Sequence, residues 1–175
     1  MVPVLETERL ILRGHQLEDF PAHAAMWNDE RTLRHTGGSL RSEENLWSRF
    51  LRNEGQWHLT GTGMWAVEDK ASGAYAGMAG FIFAKRMIDI PYRDAPEMGW
   101  ALAPDFHGKG LAREAVARCL AWGEAHLKAD AIWCMIKPGN LASQKVAGRA
   151  GFREAGRATY EDVEMLTFLR PRVAL

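Results

Sequence analysis

The 175-residue chain has only two cysteines, Cys119 and Cys134, and it carries no net charge. The two thiols stand in neither a metal-ligand spacing nor a C-x-x-C pair, which argues against a zinc module or a disulfide scaffold. They read as reduced, buried core residues, the pattern of a cytoplasmic protein. Lys plus Arg total 22 and so do Asp plus Glu, so no global charge points to nucleic acid or a membrane surface. No apolar run approaches the roughly twenty residues that span a bilayer. The opening "MVPVLETERL" has acids and no signal-peptide core. Repeats and low-complexity tracts are missing too. The six histidines form no H-E-x-x-H or zinc spacing, and no serine sits in a nucleophile elbow, so no metal is expected.

What is present is ordinary for one globular domain over 1–175: 47% hydrophobic and 25% charged residues, enough chain to bury a proper core. Charge is uneven locally. Between His107 and Arg153 lie eight Lys or Arg against three acids, a modest basic patch that suits a phosphorylated small molecule. The seven tryptophans lack a basic, aromatic-rich pattern and read as core and pocket lining, not as a nucleic-acid platform.

Period and punctuation give the elements. "TERLILR" (7–13) alternates and predicts a first strand, followed by a helix over "LEDFPAHAAMWNDERTL". A second helix, "SEENLWSRFLRNE", is capped by Ser42 and striped by Leu46, Trp47, Phe50 and Leu51. "MWAVED" and "AYAGMAGFIF" read as strands joined by "KASG", and "KRMIDIPYRDAP" as a loop. "EMGWAL" is a short strand that stops before Pro104. A third helix follows, with Ala112, Ala115, Val116, Cys119, Leu120 and Gly123 on its core face. "AIWCMI" is a buried strand, Leu141 to about Ala150 a short helix ending at Gly151, and "ATYEDVEMLTFL" one strand or a pair. This order predicts an α+β (mixed α/β) domain whose sheet is mostly antiparallel and gains parallel character after the third helix.

One stretch carries chemistry. "PDFHGKGLAREA" (104–115) places Gly108 and Gly110 around Lys109 and runs directly into a helix. Glycine frees the backbone to curl into a nest of N–H donors, and a helix N-terminus adds unpaired N–H groups and partial positive charge. Lys109 and Arg113 add full charge. The geometry suits a phosphate, although a tight turn that binds nothing has the same local signature. "GTGMWA" fits G-x-G-x-x-A only formally, because it precedes a strand, and "GKG" lacks the Ser/Thr of a nucleotide P-loop.

With "EMGWALAP" before it and "NLASQKVAGRAGF" after it, this stretch resembles the GNAT superfamily of acetyl-CoA-dependent N-acetyltransferases. His107, Gly110 and Ala112 fall on that family's Q/R-x-x-G-x-G/A phosphate loop. Asn140, Ser143, Gly151 and Phe152 match its N-x-x-S/A…G-F helix. The wider run, from about Thr7 to Phe152, looks like the branch that acetylates ribosomal-protein N-termini (RimJ/RimL-like). The resemblance implies a central twisted sheet flanked by helices and splayed between its fourth and fifth strands. The pantetheine arm would lie in that gap against the backbone of Trp100, Ala101 and Leu102. His107, Gly108, Lys109, Gly110, Leu111, Ala112 and Arg113 would hold the pyrophosphate, with Asn140 and Ser143 beside the arm. A primary amine, at a protein N-terminus or on a small molecule, would attack the thioester directly, with the Leu102 N–H on the oxyanion.

Two positions depart from the family pattern. His107 replaces the usual Arg or Gln, and Ala147 stands where many relatives place a thiolate-protonating tyrosine, a role that passes to Ser143. Glu97, which opens the strand, is the candidate general base, with Glu161 in reserve. Pairing of Glu97 with Arg93 is the structural alternative. Trp27, Trp47, Trp57, Tyr92 and Arg93 are candidates to line the acceptor pocket, though each aromatic also suits the core. The resemblance further implies a monomer or homodimer. A module that binds acyl-CoA as a sensor, without turnover, is the alternative function.

Overall fold

The structure, a computed structural model, describes residues 1–36 and 39–172. The predicted first strand is a hairpin: β1 (Leu5–Glu6) folds antiparallel onto β2 (Leu10–Arg13). The predicted first helix is broken. A 3-10 turn at Leu17–Asp19 leads into α1 (Phe20–Asn28), and α2 (Glu30–Thr36) starts anew. Asp29 is extended (φ −68°, ψ 131°) at the break, and its carboxylate accepts from the Arg31 N–H at 2.8 Å. Asp is a strong N-cap, so helical periodicity alone overran the boundary.

Helix α3 (Glu43–Thr60) runs a turn and a half beyond the predicted end. Ser42 caps it by accepting from Asn45 N–H, and Gly61 (φ 69°) closes it. Its buried stripe is Leu46, Phe50, Asn53 and Trp57. The sheet continues with β3 (Met64–Asp69), β4 (Tyr75–Ile82), β5 (Glu97–Leu102) and β6 (Ala131–Ile136), the last two joined through α4 (Leu111–His126). After α5 (Leu141–Arg149), β7 (Arg153–Tyr160) and β8 (Val163–Pro171) form the pair allowed for by sequence. Their turn holds Glu161 and Asp162 at positive φ (49° and 62°), the sign that a two-residue primed hairpin turn requires.

Among the described residues the eight strands are ordered β1-β2-β3-β4-β5-β6-β8-β7, and only β5 and β6 pair in parallel. Alternation along β3 splits the core between the two faces. Trp65 and Val67 join Leu111, Ala115, Val116, Cys119 and Trp122 of α4, while Met64 and Ala66 join Met26 of α1. Trp57, Trp65 and Trp122 meet edge to face with ring centres 4.6–5.6 Å apart. Both cysteines are free and buried, and burial pushes their thiols up. No described helix is long and apolar enough to cross a membrane.

Under α1 and α3 lies a buried polar cluster. His23 Nδ1 meets the Tyr75 hydroxyl at 3.1 Å, and His15 packs edge-on against Phe50. Burial holds His15 down to about 3 and His23 to about 4. Both stay neutral in the native state, whereas the unfolded chain takes up protons as pH falls below about 6.5. Depressed pKa values therefore stabilise above that pH and lose their contribution as pH falls toward 4 and 3. Urea titrations should show a loss of about 2 kcal/mol per histidine between pH 7.5 and 5. His23→Gln should remove roughly half of that pH dependence. An unchanged pH dependence in His23→Gln would mean that His23 is not buried neutral.

Candidate active site

β5 is fully paired with β4, from Gly77↔Leu102 to Ile82↔Glu97, but its ladder to β6 contains one pair, Glu97↔Trp133. Trp133 fastens that end twice, donating its N–H to Pro96 O at 3.1 Å and its indole N–H to Ala95 O at 3.0 Å. Beyond Glu97 the strands part. The chain's fourth and fifth predicted strands are β5 and β6, so the splay falls where the resemblance implied.

Alternation fixes which backbone groups face the gap. Ala103 N–H donates toward β4, to Ala76 O at 2.8 Å, while Pro96 O points toward β6. Residues two apart along a strand point the same way. Trp100 and Leu102 therefore aim their N–H and C=O groups into the gap. The Leu102 carbonyl is taken: His107 Nε2 donates to it at 2.8 Å. His107 thus lines the cavity beside β5 with its ring N–H already partnered within the chain. A neutral imidazole has one N–H, and here that N–H closes the end of β5 instead of facing a phosphate.

The glycine turn follows. Gly108 and Gly110 have φ of 75° and 78°, and Gly110 is the N-cap of α4 with no side-chain cap. The first-turn N–H groups of Leu111, Ala112 and Arg113 have no partner within the helix. A Cβ on Gly110 would meet only Arg9 Nη2, at 3.6 Å, so left-handed backbone rather than crowding is what demands glycine there. Lys109 lies over the Phe106 ring (5.4 Å) and Leu111 is buried in the core, so neither side chain faces the groove. Arg9 was not anticipated. It donates to Lys109 O at 2.8 Å and pairs with Glu114 at 2.6 Å, tying the loop to α4 and β2.

A cavity of about 440 Å³ runs from this turn along the open edge of β5. Trp100, Ala101, Leu102, Gly108, Gly110 and Ala112 line one side, and Asn140, Ser143 and Val146 of the α5 region line the other. Arg113, Lys145 and Arg149 supply positive charge. Asn140 is the N-cap of α5, accepting from Ser143 N–H at 3.1 Å. The Ser143 hydroxyl makes no hydrogen bond among the described residues. Ala147 is fully buried behind it.

A second cavity, about 360 Å³, adjoins the first. His35, Thr36, Trp100, Asn140 and Ser143 line both. Glu97 lies in the second and Leu102 in the first, so the three expected catalytic groups are distributed across the seam with Ser143 on it. Of the residues expected to line the acceptor pocket only Trp27 does. Trp47 stacks on Phe50, Trp57 is core, Tyr92 packs on Trp133, and Arg93 lines a small pocket behind Glu97. Glu161 lies on the rim, exposed.

Glu97 is 5% exposed and is held by Arg86, not Arg93. Arg86 Nε donates to one carboxylate oxygen and Nη2 to the other at 2.9 Å, while Nη1 donates to the Tyr160 hydroxyl at 2.9 Å. Burial pushes the Glu97 carboxyl above the ordinary carboxylate range, while Arg86 and, more weakly, Arg52 pull it back. The result is a buried carboxylate with raised proton affinity beside the cavity seam. The sequence offered no signal for Arg86, which lies in a segment read as loop.

A family model described as an acetyltransferase (GNAT) domain matches residues 9–153. A putative GnaT-family acetyltransferase from Bordetella pertussis superposes with a TM-score of 0.83 at 31% identity, covering 96% of this chain and 99% of the other. An acetyltransferase from Agrobacterium tumefaciens gives 0.82 at 28% identity over 97% and 94%. An uncharacterised N-acetyltransferase of Bacillus subtilis, YoaA, is 24% identical over 98% of this chain and 99% of its own length.

Proposed function

The chain belongs to the GNAT acetyltransferase family and is an acyltransferase, and we propose that it transfers the acetyl group of acetyl-CoA to a primary amine by direct attack in a ternary complex. The observation that carries this reading is the open edge of β5 meeting a glycine-capped helix N-terminus on one side and a second cavity on the other. The first cavity suits CoA. Its pyrophosphate would lie on the N–H groups from Gly108 to Arg113 and its arm along Trp100 to Leu102, with Arg113, Lys145 and Arg149 toward the phosphates. The acceptor would occupy the second cavity and reach the thioester at the seam. Acyl transfer through an enzyme nucleophile finds no support. Both thiols are buried, their pKa values are raised, and neither lines either of the two cavities.

In this reading Glu97 takes the ammonium proton, directly or through a water, and the Leu102 N–H holds the developing oxyanion. The Ser143 hydroxyl assists departure of the CoA thiolate. Structures of the same fold at 17–18% identity are named for a ribosomal-protein N-terminus (RimL) and for spermidine (a Vibrio cholerae enzyme). That spread leaves a protein N-terminus, as in the RimJ/RimL branch, and a small amine both open by likeness, so the acceptor must be read from this chain's own cavity.

Three substitutions test the assignment. In Gly110→Val a side chain must adopt φ near 78°, which costs about 1–2 kcal/mol and reshapes the N–H nest. The protein should stay folded and lose at least tenfold in CoA affinity by calorimetry. Unchanged affinity in the folded variant would move the phosphate elsewhere.

Ser143→Ala should lower kcat severalfold without abolishing it, because a thiolate of pKa about 8.5 leaves tolerably without full protonation. Wild-type turnover would reduce Ser143 to a helix-start residue.

The wild-type rate should rise with pH through the raised pKa of Glu97 as the base ionises. Glu97→Gln should remove that limb, leaving the rate to follow ionisation of the free amine, with CoA affinity retained. A pH–rate profile that overlays the wild type would take Glu97 out of the mechanism.

A further inference from the structure

The second cavity is strongly cationic. Arg41, Arg49, Arg52, Arg86 and Lys137 line it, against the acids Glu97 and Glu161. Arg86 and Glu97 neutralise each other. Arg41, Arg49, Arg52 and Lys137 form no ion pair among the described residues. Arg49 and Arg52 lie three apart on α3 and so share one helical face. Charges flanking an apolar helical stripe ordinarily face solvent, so the pattern of α3 alone does not single them out.

Arg41 and Arg49 are held in place yet have donors to spare. The Arg41 guanidinium lies over the Trp27 ring at 5.5 Å and donates to Trp27 O at 3.4 Å. Arg49 donates to Asn45 Oδ1 at 2.9 Å. Arg52 makes no side-chain hydrogen bond among the described residues. Each guanidinium carries five N–H donors in a planar fork, so most of them here are unused and match the geometry of a carboxylate or phosphate. Partial desolvation lowers the pKa of Arg41 and of Arg52, and the charge of Arg49 lowers both further. Arginines that repel one another in a shared cavity without carboxylate partners are stabilised by an incoming anion.

An amine acceptor arrives mainly as a cation. A cavity built for a polyamine or another multiply cationic acceptor needs acids in excess, and this one has the opposite balance. Building on the reading that the acceptor fills this cavity, we propose that the acceptor is a small primary amine that also bears a carboxylate or phosphate, bound through Arg41, Arg49 and Arg52. The anion then anchors the molecule, while its amine projects toward Glu97 and the seam at Trp100 and Ser143. A volume of about 360 Å³ fits a small molecule of this kind.

Matched acceptors test it: O-phosphoethanolamine against ethanolamine, and glutamate against glutamate diamide, with spermidine as the polycation. Acetyl-CoA consumption should favour the anionic member of at least one pair by tenfold or more in kcat/KM. The preference should collapse in Arg49→Gln/Arg52→Gln, whose CoA affinity stays at the wild-type value. The two pairs separate a phosphate from a carboxylate source. Equal use within both pairs, or a preference for spermidine, would overturn the proposal.

Calorimetry of the CoA-loaded protein with inorganic phosphate and with glutarate reads the anion site without any amine. Binding that weakens at least tenfold in the double variant supports the site. Absent binding, or equal binding in the variant, overturns it. Anion binding of this kind with no amine consumed would leave the anion site standing and overturn the acetyl-transfer reading instead.

Discussion

The early end of the β5–β6 ladder governs the rest of the molecule. A parallel neighbour to β5 would ordinarily absorb the backbone groups of Met98, Trp100 and Leu102. Here β6 is committed to β8 over six residues and touches β5 only at Glu97↔Trp133. Unpaired N–H and C=O groups on a strand edge invite pairing with whatever extended chain is offered. The edge stays open because both of its ends are fastened. Trp133 pins the near end through Pro96 and Ala95, and His107 closes the far end on Leu102 O. The glycine turn then begins at once, so an unpaired strand edge leads directly into a helix end with unpaired N–H groups.

Charge is divided along the same line. Arg113, Lys145 and Arg149 belong to the groove beside the helix N-terminus, while Arg41, Arg49, Arg52 and Lys137 belong to the second cavity. A chain with no net charge thus holds two cationic pockets. It balances them with acids that are engaged or lie elsewhere on the surface: Glu114 with Arg9, Asp19 and Glu68 with Arg13, Glu164 with Arg157. Global composition hid this arrangement. Net charge speaks to solubility and steering of the whole particle, whereas a pocket is decided by which few charges lack a partner.

How much was legible follows from the range of each interaction. The order of elements, the Ser42 cap and the glycine turn before α4 are local, written within a few residues, and they were readable. The break at Asp29 is local as well, but it was masked by apolar spacing that runs through it. The N-terminal hairpin was missed because Thr7–Arg13 alternates without a turn signal, although Thr7 and Leu10 close a turn within it. The roles of His107, Arg86 and Arg9 depend on partners 5, 11 and 105 residues away. No spacing rule reaches the last two, and the first competes with a motif position that suggested a different partner.

The two halves of the site were unequally readable because they are built from different materials. The first cavity is built on backbone: an open strand edge, left-handed glycines and a helix end. Such a site requires few particular side chains beyond glycine and a broken ladder, so a short motif reports it. The second cavity is lined by long side chains from α3, from the segment before it, from the stretch between β4 and β5, and from the β7–β8 hairpin. Those elements share no local motif, and each can change without disturbing the sheet. The lining of the second cavity can therefore shift while the strand edge and the helix end are retained, and its present character is set by the arginines that converge beside Glu97.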